Sequence, residues 1–446
     1  MTRKDYFKKS LAIAWPALLE FFFISIADII DTFMVSGLGP SAVAAVGLTT
    51  QPKFIALSIF FSINAAVSAL IARRQGEGKQ DKANVTLTTS IYIVIFFVLL
   101  VDLIMIPFAS QILKFAGSNN QTHQLAYDYY IIIMGGVFFN AMSMIINAAH
   151  RGAGNTRIAF ISNLISSLVN MTFNYLLICG NLGFPKLGIQ GAAIATVLGT
   201  VVSTIMCGFS LTRKSSYMNI AIMIKNKFAF SKNIAIDIGK LGFNIFVENV
   251  SARVGFLVTA ITAASLGTHS FAAHNVGMNL LSLTFSFGNG MQVAAISLSG
   301  NALGAENKKA AMIYGKVCQE IGFIISVIIS IILLIFGKNI FSLFFKECDI
   351  IAMGVLITRF LTIIALLQIS QVIYGGCLRA AGDVKYTLGV ALVSVTFIRS
   401  IVTLLCVHYL NLGLSGIWIG ILSDQVSRFV SLRHRFTKGE WVHKKI

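Results

Sequence analysis

Displaced by 228 positions, this chain lies on itself. Glu20 falls on Glu248, Leu38-Gly39 on Leu266-Gly267, Gly76 on Gly304, Ala83 on Ala311, Arg151 on Arg379 and Gly154 on Gly382. The gapless register runs from about residue 11 to 157, then slips by three, so that Leu187-Gly188 and Gly191 answer Leu412-Gly413 and Gly416. Chance does not hold one register across helices and loops alike. The fold must consist of two similar halves, the internal duplication from which many transporters are built.

Each half is apolar. With 56% hydrophobic and only 12% charged residues, the chain departs from soluble proteins, in which about a quarter of residues are charged. Five prolines in 446 residues, and no regular run of short alternating segments, favour helices over an outer-membrane barrel. At about 20 mostly apolar residues per span, six helices are expected near 11–35, 54–72, 86–110, 127–148, 158–180 and 189–211. Six more are expected near 241–265, 277–299, 318–337, 355–377, 387–409 and 413–432. The predicted class is an all-α integral membrane protein of twelve transmembrane helices in two six-helix lobes related by a pseudo-two-fold repeat. Its parts are an N-lobe over 1–211, a cytoplasmic inter-lobe linker over 212–240, a C-lobe over 241–432 and a basic cytoplasmic tail over 433–446. Six helices per half is an even number, so both halves share one orientation and are related by an axis along the membrane normal. The first apolar segment is too long for a cleavable signal core and is expected to stay.

A net charge of +18 raises the question of nucleic acid, and its distribution answers it. Lysines and arginines crowd the N-terminus, the even-numbered connections and the C-terminus. Only Lys53, Lys114, Lys186, Lys338 and Lys346 fall on the other side, with Arg253, Arg359 and Arg399 inside predicted helices. This is the positive-inside pattern. It predicts a multi-pass cell-membrane protein with both termini cytoplasmic, and membrane lipid rather than nucleic acid as its surroundings. The six cysteines lack C-x-x-C spacing, which argues against a disulfide framework or a metal centre.

Carboxylates inside apolar spans carry the functional signal. Glu20, Asp28 and Asp31 lie in the first span and Glu248 in its repeat. Insertion scales place an Asp at the bilayer centre at about +2.5 to +3.5 kcal/mol, so such groups face protein or a cavity and mark pathways. These four are the substrate-cavity candidates. A proton and a cation compete for one such carboxylate, which couples their fluxes. Structural readings stand beside this one: Glu20 and Glu248 as ion pairs with Arg253, Asn170 and Asn174 as interhelical hydrogen-bonding partners, and Arg151 and Arg379 as anchors of cytoplasmic loops. Asp102 has no evident partner. No clustered His/Asp or Ser/His arrangement and no P-loop is present, so neither an enzyme with catalytic residues nor an ATP-driven pump is expected.

WPALLE followed by Asp31-Thr32 and a Gly-Leu-Gly break, ARRQGEGKQDKA, HRGAGNTR, Asn170 and Asn174 ahead of GIQGAAIAT, and LRAAGDVK in the second half together resemble the multidrug and toxic compound extrusion (MATE) family. The resemblance covers essentially the whole chain. It implies a secondary antiporter that exports amphipathic, cationic organic compounds in exchange for H+ or Na+, without a cofactor. Asp31 is similar to the family's first-helix aspartate, with Asn170, Asn174 and Thr196 around it as the proton-coupling or Na+ site. Glu248 is similar to the C-lobe glutamate, and Gln368 stands where that glutamate's partner aspartate is expected. Asn174 also replaces a carboxylate found in many members. A flippase for lipid-linked or polysaccharide precursors is the alternative, and it would call for several cavity cations. A duplicated chain supplies both lobes, so a monomer suffices.

Overall fold

The computed structural model describes residues 2–213 and 216–444, and among them the regular structure is entirely helical. Long helices follow one another: α1 (Arg3–Ser36), α2 (Pro40–Gly76), α3 (Gln80–Met105), α4 (His123–Gly135 and Val137–Gly152, bent by 47°), α5 (Thr156–Cys179) and α6 (Ile189–Thr212). The second set is α7 (Lys232–Ser265), α8 (Thr268–Gly304), α9 (Lys308–Phe344), α10 (Cys348–Ala380), α11 (Val384–Tyr409) and α12 (Gly413–Lys438). Nine of these, and the bent α4 as a tenth, are long and apolar enough to cross a membrane. The more polar α8 and α12 complete twelve.

The duplication is visible in the backbone. α1 and α7 are both 34 residues long, and α2 and α8 both 37. The turn before α2 puts Gly39 at φ 100°, ψ 170°, and the turn before α8 puts Gly267 at φ 100°, ψ 168°. Only glycine enters that region without strain, which is why Leu-Gly recurs there. Helices run longer than hydropathy predicts because several of their end turns are polar. α2 begins at Pro40, so Pro52 and Lys53 lie inside a helix rather than in a loop.

The chain packs as two compact units, Leu19–Phe243, and Asn244–Ile446 together with Met1–Leu18. The start of α1 thus belongs to the second unit, where Ala14 joins a core of Tyr314, Ile373, Tyr374 and Phe436, and Arg3 bonds Glu320 at 2.6 Å. The segment 216–240 belongs to the first unit. Gln80 and Asn84 of α3 donate to the Tyr217 carbonyl at 2.9 and 3.1 Å, and Asn219 caps a short helix, Ile220–Lys225. Beyond α12, Trp441 is fully buried and stacks on Phe436.

Candidate functional site

α1 carries Asp31 one turn after Asp28 and about three turns after Glu20. α5 carries Asn170 and Asn174, which share a face because they are four residues apart. The structure brings the α1 and α5 groups together. Asn174 Nδ2 donates to Asp31 Oδ1 at 2.6 Å, and Asn170 Nδ2 donates to Thr196 Oγ1 of α6 at 3.2 Å. Asn170 Oδ1 stands 3.5 Å from Asn174 Nδ2. Asn174 Oδ1 is buried without a hydrogen-bond partner among the described residues. Asp31 therefore meets amides rather than a fixed cation at hydrogen-bond range. Its charge is left available to a mobile proton or cation, and the unused Asn174 oxygen is a further acceptor close by.

The glutamates are built differently. Arg151 Nη1 donates to Glu20 Oε1 at 2.9 Å, and Asn163 Nδ2 of α5 donates to the same oxygen at 2.7 Å. In the second unit Arg379 Nη2 donates to Glu248 Oε1 at 2.5 Å, while Thr387 Oγ1 of α11 donates to Oε2 at 3.2 Å. These are the same ion pair twice, 131 residues apart in each copy. The arginines that these hydrogen bonds engage are Arg151 and Arg379; Arg253 lies over the Phe256 ring. Hydropathy misses this because both arginines fall in turns that look solvent-exposed. A buried pair with one partner removed leaves an uncompensated charge, at a cost of about 3–5 kcal/mol. Both glutamates are thus occupied by a structural demand that Asp31 does not carry.

The MatE family model matches residues 16–176 and again 245–405. The chain belongs to the MatE family of transporters. It is 23% identical to a probable multidrug resistance protein NorM of Thermotoga maritima, over 98% of this chain and 94% of that protein. A NorM protein of Bacillus subtilis is 25% identical, with 98% and 96% covered. Among solved structures, an outward-facing multidrug resistance MATE family transporter of the MOP superfamily superposes with TM-score 0.90 at 22% identity, covering 98% and 97%. This establishes the twelve-helix MATE fold, a multi-pass membrane transporter and not an enzyme.

In this MATE chain Asp28 lies within electrostatic reach of Asp31, whereas Glu20 and Glu248 stand in their own arginine pairs. Asp28 is exposed. Gln368 is buried, and no hydrogen bond joins it to Glu248 among the described residues; its Oε1 has no partner there. The residue that sequence reading missed is Lys53. From inside α2 it lies within electrostatic reach of both Asp28 and Asp31 and lines a cleft with Thr196, Asn140 and Val197. Tyr129 is buried beside the same groups.

Proposed function

We propose that this MATE chain is a secondary antiporter that exports amphipathic, cationic organic compounds by alternating access, with Asp31 as its coupling group and both termini cytoplasmic. The observation that carries this reading is the Asp31–Asn174 hydrogen bond: an intramembrane carboxylate held by amides, free to exchange a proton or Na+ for a cationic substrate. Glu248, held by Arg379, takes the smaller share. For Na+, the available oxygens are those of Asp31, Asn170, Asn174 and Thr196, in keeping with the oxygen preference of hard cations. No cofactor is required in this reading, since the H+ or Na+ concentration gradient across the membrane drives the exchange.

Ethidium efflux from proteoliposomes tests this under an imposed pH gradient, then an imposed Na+ gradient. Movement with the pH gradient alone assigns H+ as the coupling ion, and movement only with Na+ assigns the oxygen set. Silence under both defeats the antiporter reading and favours a flippase.

A further inference from the structure

The register of 228 carries Asp31 onto Thr259, and around Thr259 the chemistry inverts. α11 is the counterpart of α5, but it is interrupted by π-helical turns at Leu392–Ile398 and Leu405–Tyr409. Such turns are rare and accompany functional sites. A π turn takes up an extra residue, so Arg399 comes to the place that the unbroken register gives to Ile398, the counterpart of Asn170. The contacts agree. Arg399 Nη2 reaches Thr259 Oγ1 at 3.4 Å, as the α5 amides reach toward Asp31. The slipped register of 225 carries Gly199 onto Asp424. Gly199 packs against Asn170, and Asp424 Oδ2 lies 3.7 Å from Arg399 Nη1.

The charges around Arg399 do not balance. Its side chain is 0% exposed, and its guanidinium sits 4.4 Å from the Phe256 ring. Both oxygens of Asp424 are taken by Arg428, Nε to Oδ1 and Nη2 to Oδ2, each at 2.7 Å. At 3.7 Å, Asp424 is too far to hydrogen-bond Arg399 as well. Nε and Nη1 of Arg399 have no hydrogen-bond partner among the described residues, and neither has Nδ1 of the buried His274, which lies within electrostatic reach of Arg399. Two guanidiniums share one carboxylate. A guanidinium does not shed its charge in a protein, and an uncompensated one inside a membrane span is costly.

We infer that the second unit holds a buried monovalent anion at Arg399, a halide or the carboxylate group of a small organic acid. It balances the second guanidinium and accepts from Nε and Nη1. This site is the inverse in sign of the Asp31 site to which the repeat relates it, and it does not depend on which ion drives transport.

The test is thermal unfolding of the full-length protein in detergent, with sodium methanesulfonate as the background salt and sodium fixed. Chloride, bromide and formate are titrated in separately. A saturable rise in Tm is expected. A rise with chloride and bromide alone identifies a halide site, and a rise with formate alone a carboxylate site. Arg399→Gln is expected to abolish the rise. Should that variant fail to fold, Arg399→Lys keeps the charge and is expected to weaken half-saturation by roughly tenfold, the loss of one charge-assisted contact. A flat response of the wild type to all three anions overturns the inference. So does a rise that survives Arg399→Gln, or an affinity unchanged in Arg399→Lys.

Discussion

Glu20 and Glu248 occupy the same place in the repeat and hold the same partner, yet the two pairs are not equally enclosed. The side chains of Glu20 and Arg151 are 0% and 10% exposed, those of Glu248 and Arg379 14% and 20%. Asp31 and Thr259 occupy the same place and share nothing chemically. What the duplication preserves is the scaffold: turn glycines, helix lengths and the Glu–Arg clamp. What it has let diverge is the chemistry near the C-terminal ends of α1 and α7, a carboxylate among amides in one copy and an arginine beside a hydroxyl in the other. Preserved positions are therefore expected to govern stability, and divergent ones transport.

The largest effect that would break this comparison belongs to Asp31. Asp31→Asn is expected to bring gradient-driven dye efflux in proteoliposomes down to the protein-free background while leaving Tm near that of the wild type. Retained efflux would remove Asp31 from coupling. The clamps come next. Arg151→Ala strands a fully buried glutamate and is expected to cost about 3–5 kcal/mol. Arg379→Ala, at a more open pair, is expected to cost about 1.5–3 kcal/mol, so Tm should fall further for the first. Equal losses would mean that burial does not distinguish the copies.

The turn glycines sharpen the preserved side of the comparison. Among the described residues, and apart from the adjoining ones in the chain, nothing lies within 4 Å of where a Cβ would stand at Gly39 or Gly267. Alanine there pays only for the backbone conformation, about 1–3 kcal/mol, and the two substitutions are expected to shift Tm by matching amounts. The smallest effect concerns Glu77, in the α2–α3 turn, whose counterpart by register is Ala305. Burial raises the Glu77 carboxyl, but hydrogen bonds from Lys79 and Arg74 outweigh it and hold the group below its ordinary 4.5. A depressed value stabilises the fold above about pH 4.5 and loses that contribution as pH falls through the lower folded value. Glu77→Gln is thus expected to cost under about 1 kcal/mol at pH 7, with the Tm difference from wild type closing in acid.

Much of this was legible in the sequence because repetition and hydropathy are both local signals. The 228 register anticipated matching turns at Gly39 and Gly267, and four-residue spacing put Asn170 and Asn174 on one face, where the structure brings Asn174 to Asp31. Lys53 was misplaced because Gln51-Pro52-Lys53 resembles a loop. A proline is tolerated inside a span when neighbouring groups satisfy the freed carbonyl, and no window average reveals that. The partners of Glu20 and Glu248 were hidden for a related reason: Arg151 and Arg379 sit in polar turns, and only tertiary packing turns their side chains inward. Arg399 was visible as a charge in an apolar span, but its lack of a dedicated counter-charge depends on Arg428 having claimed Asp424.

The division of α1 at Leu18 has a consequence for how the protein is made. Residues 3–18 leave the ribosome before everything else described here, yet their packing partners, Tyr314 and Glu320 among them, emerge only after the whole of the first unit. Domains generally complete themselves in order of synthesis. The first unit can close as soon as Phe243 appears, whereas the leading segment must stay unpaired until most of the second is built. Its basic residues, Arg3, Lys4, Lys8 and Lys9, precede the apolar stretch that begins near Leu11, and docking of this segment on the second unit is expected to be a late step of assembly.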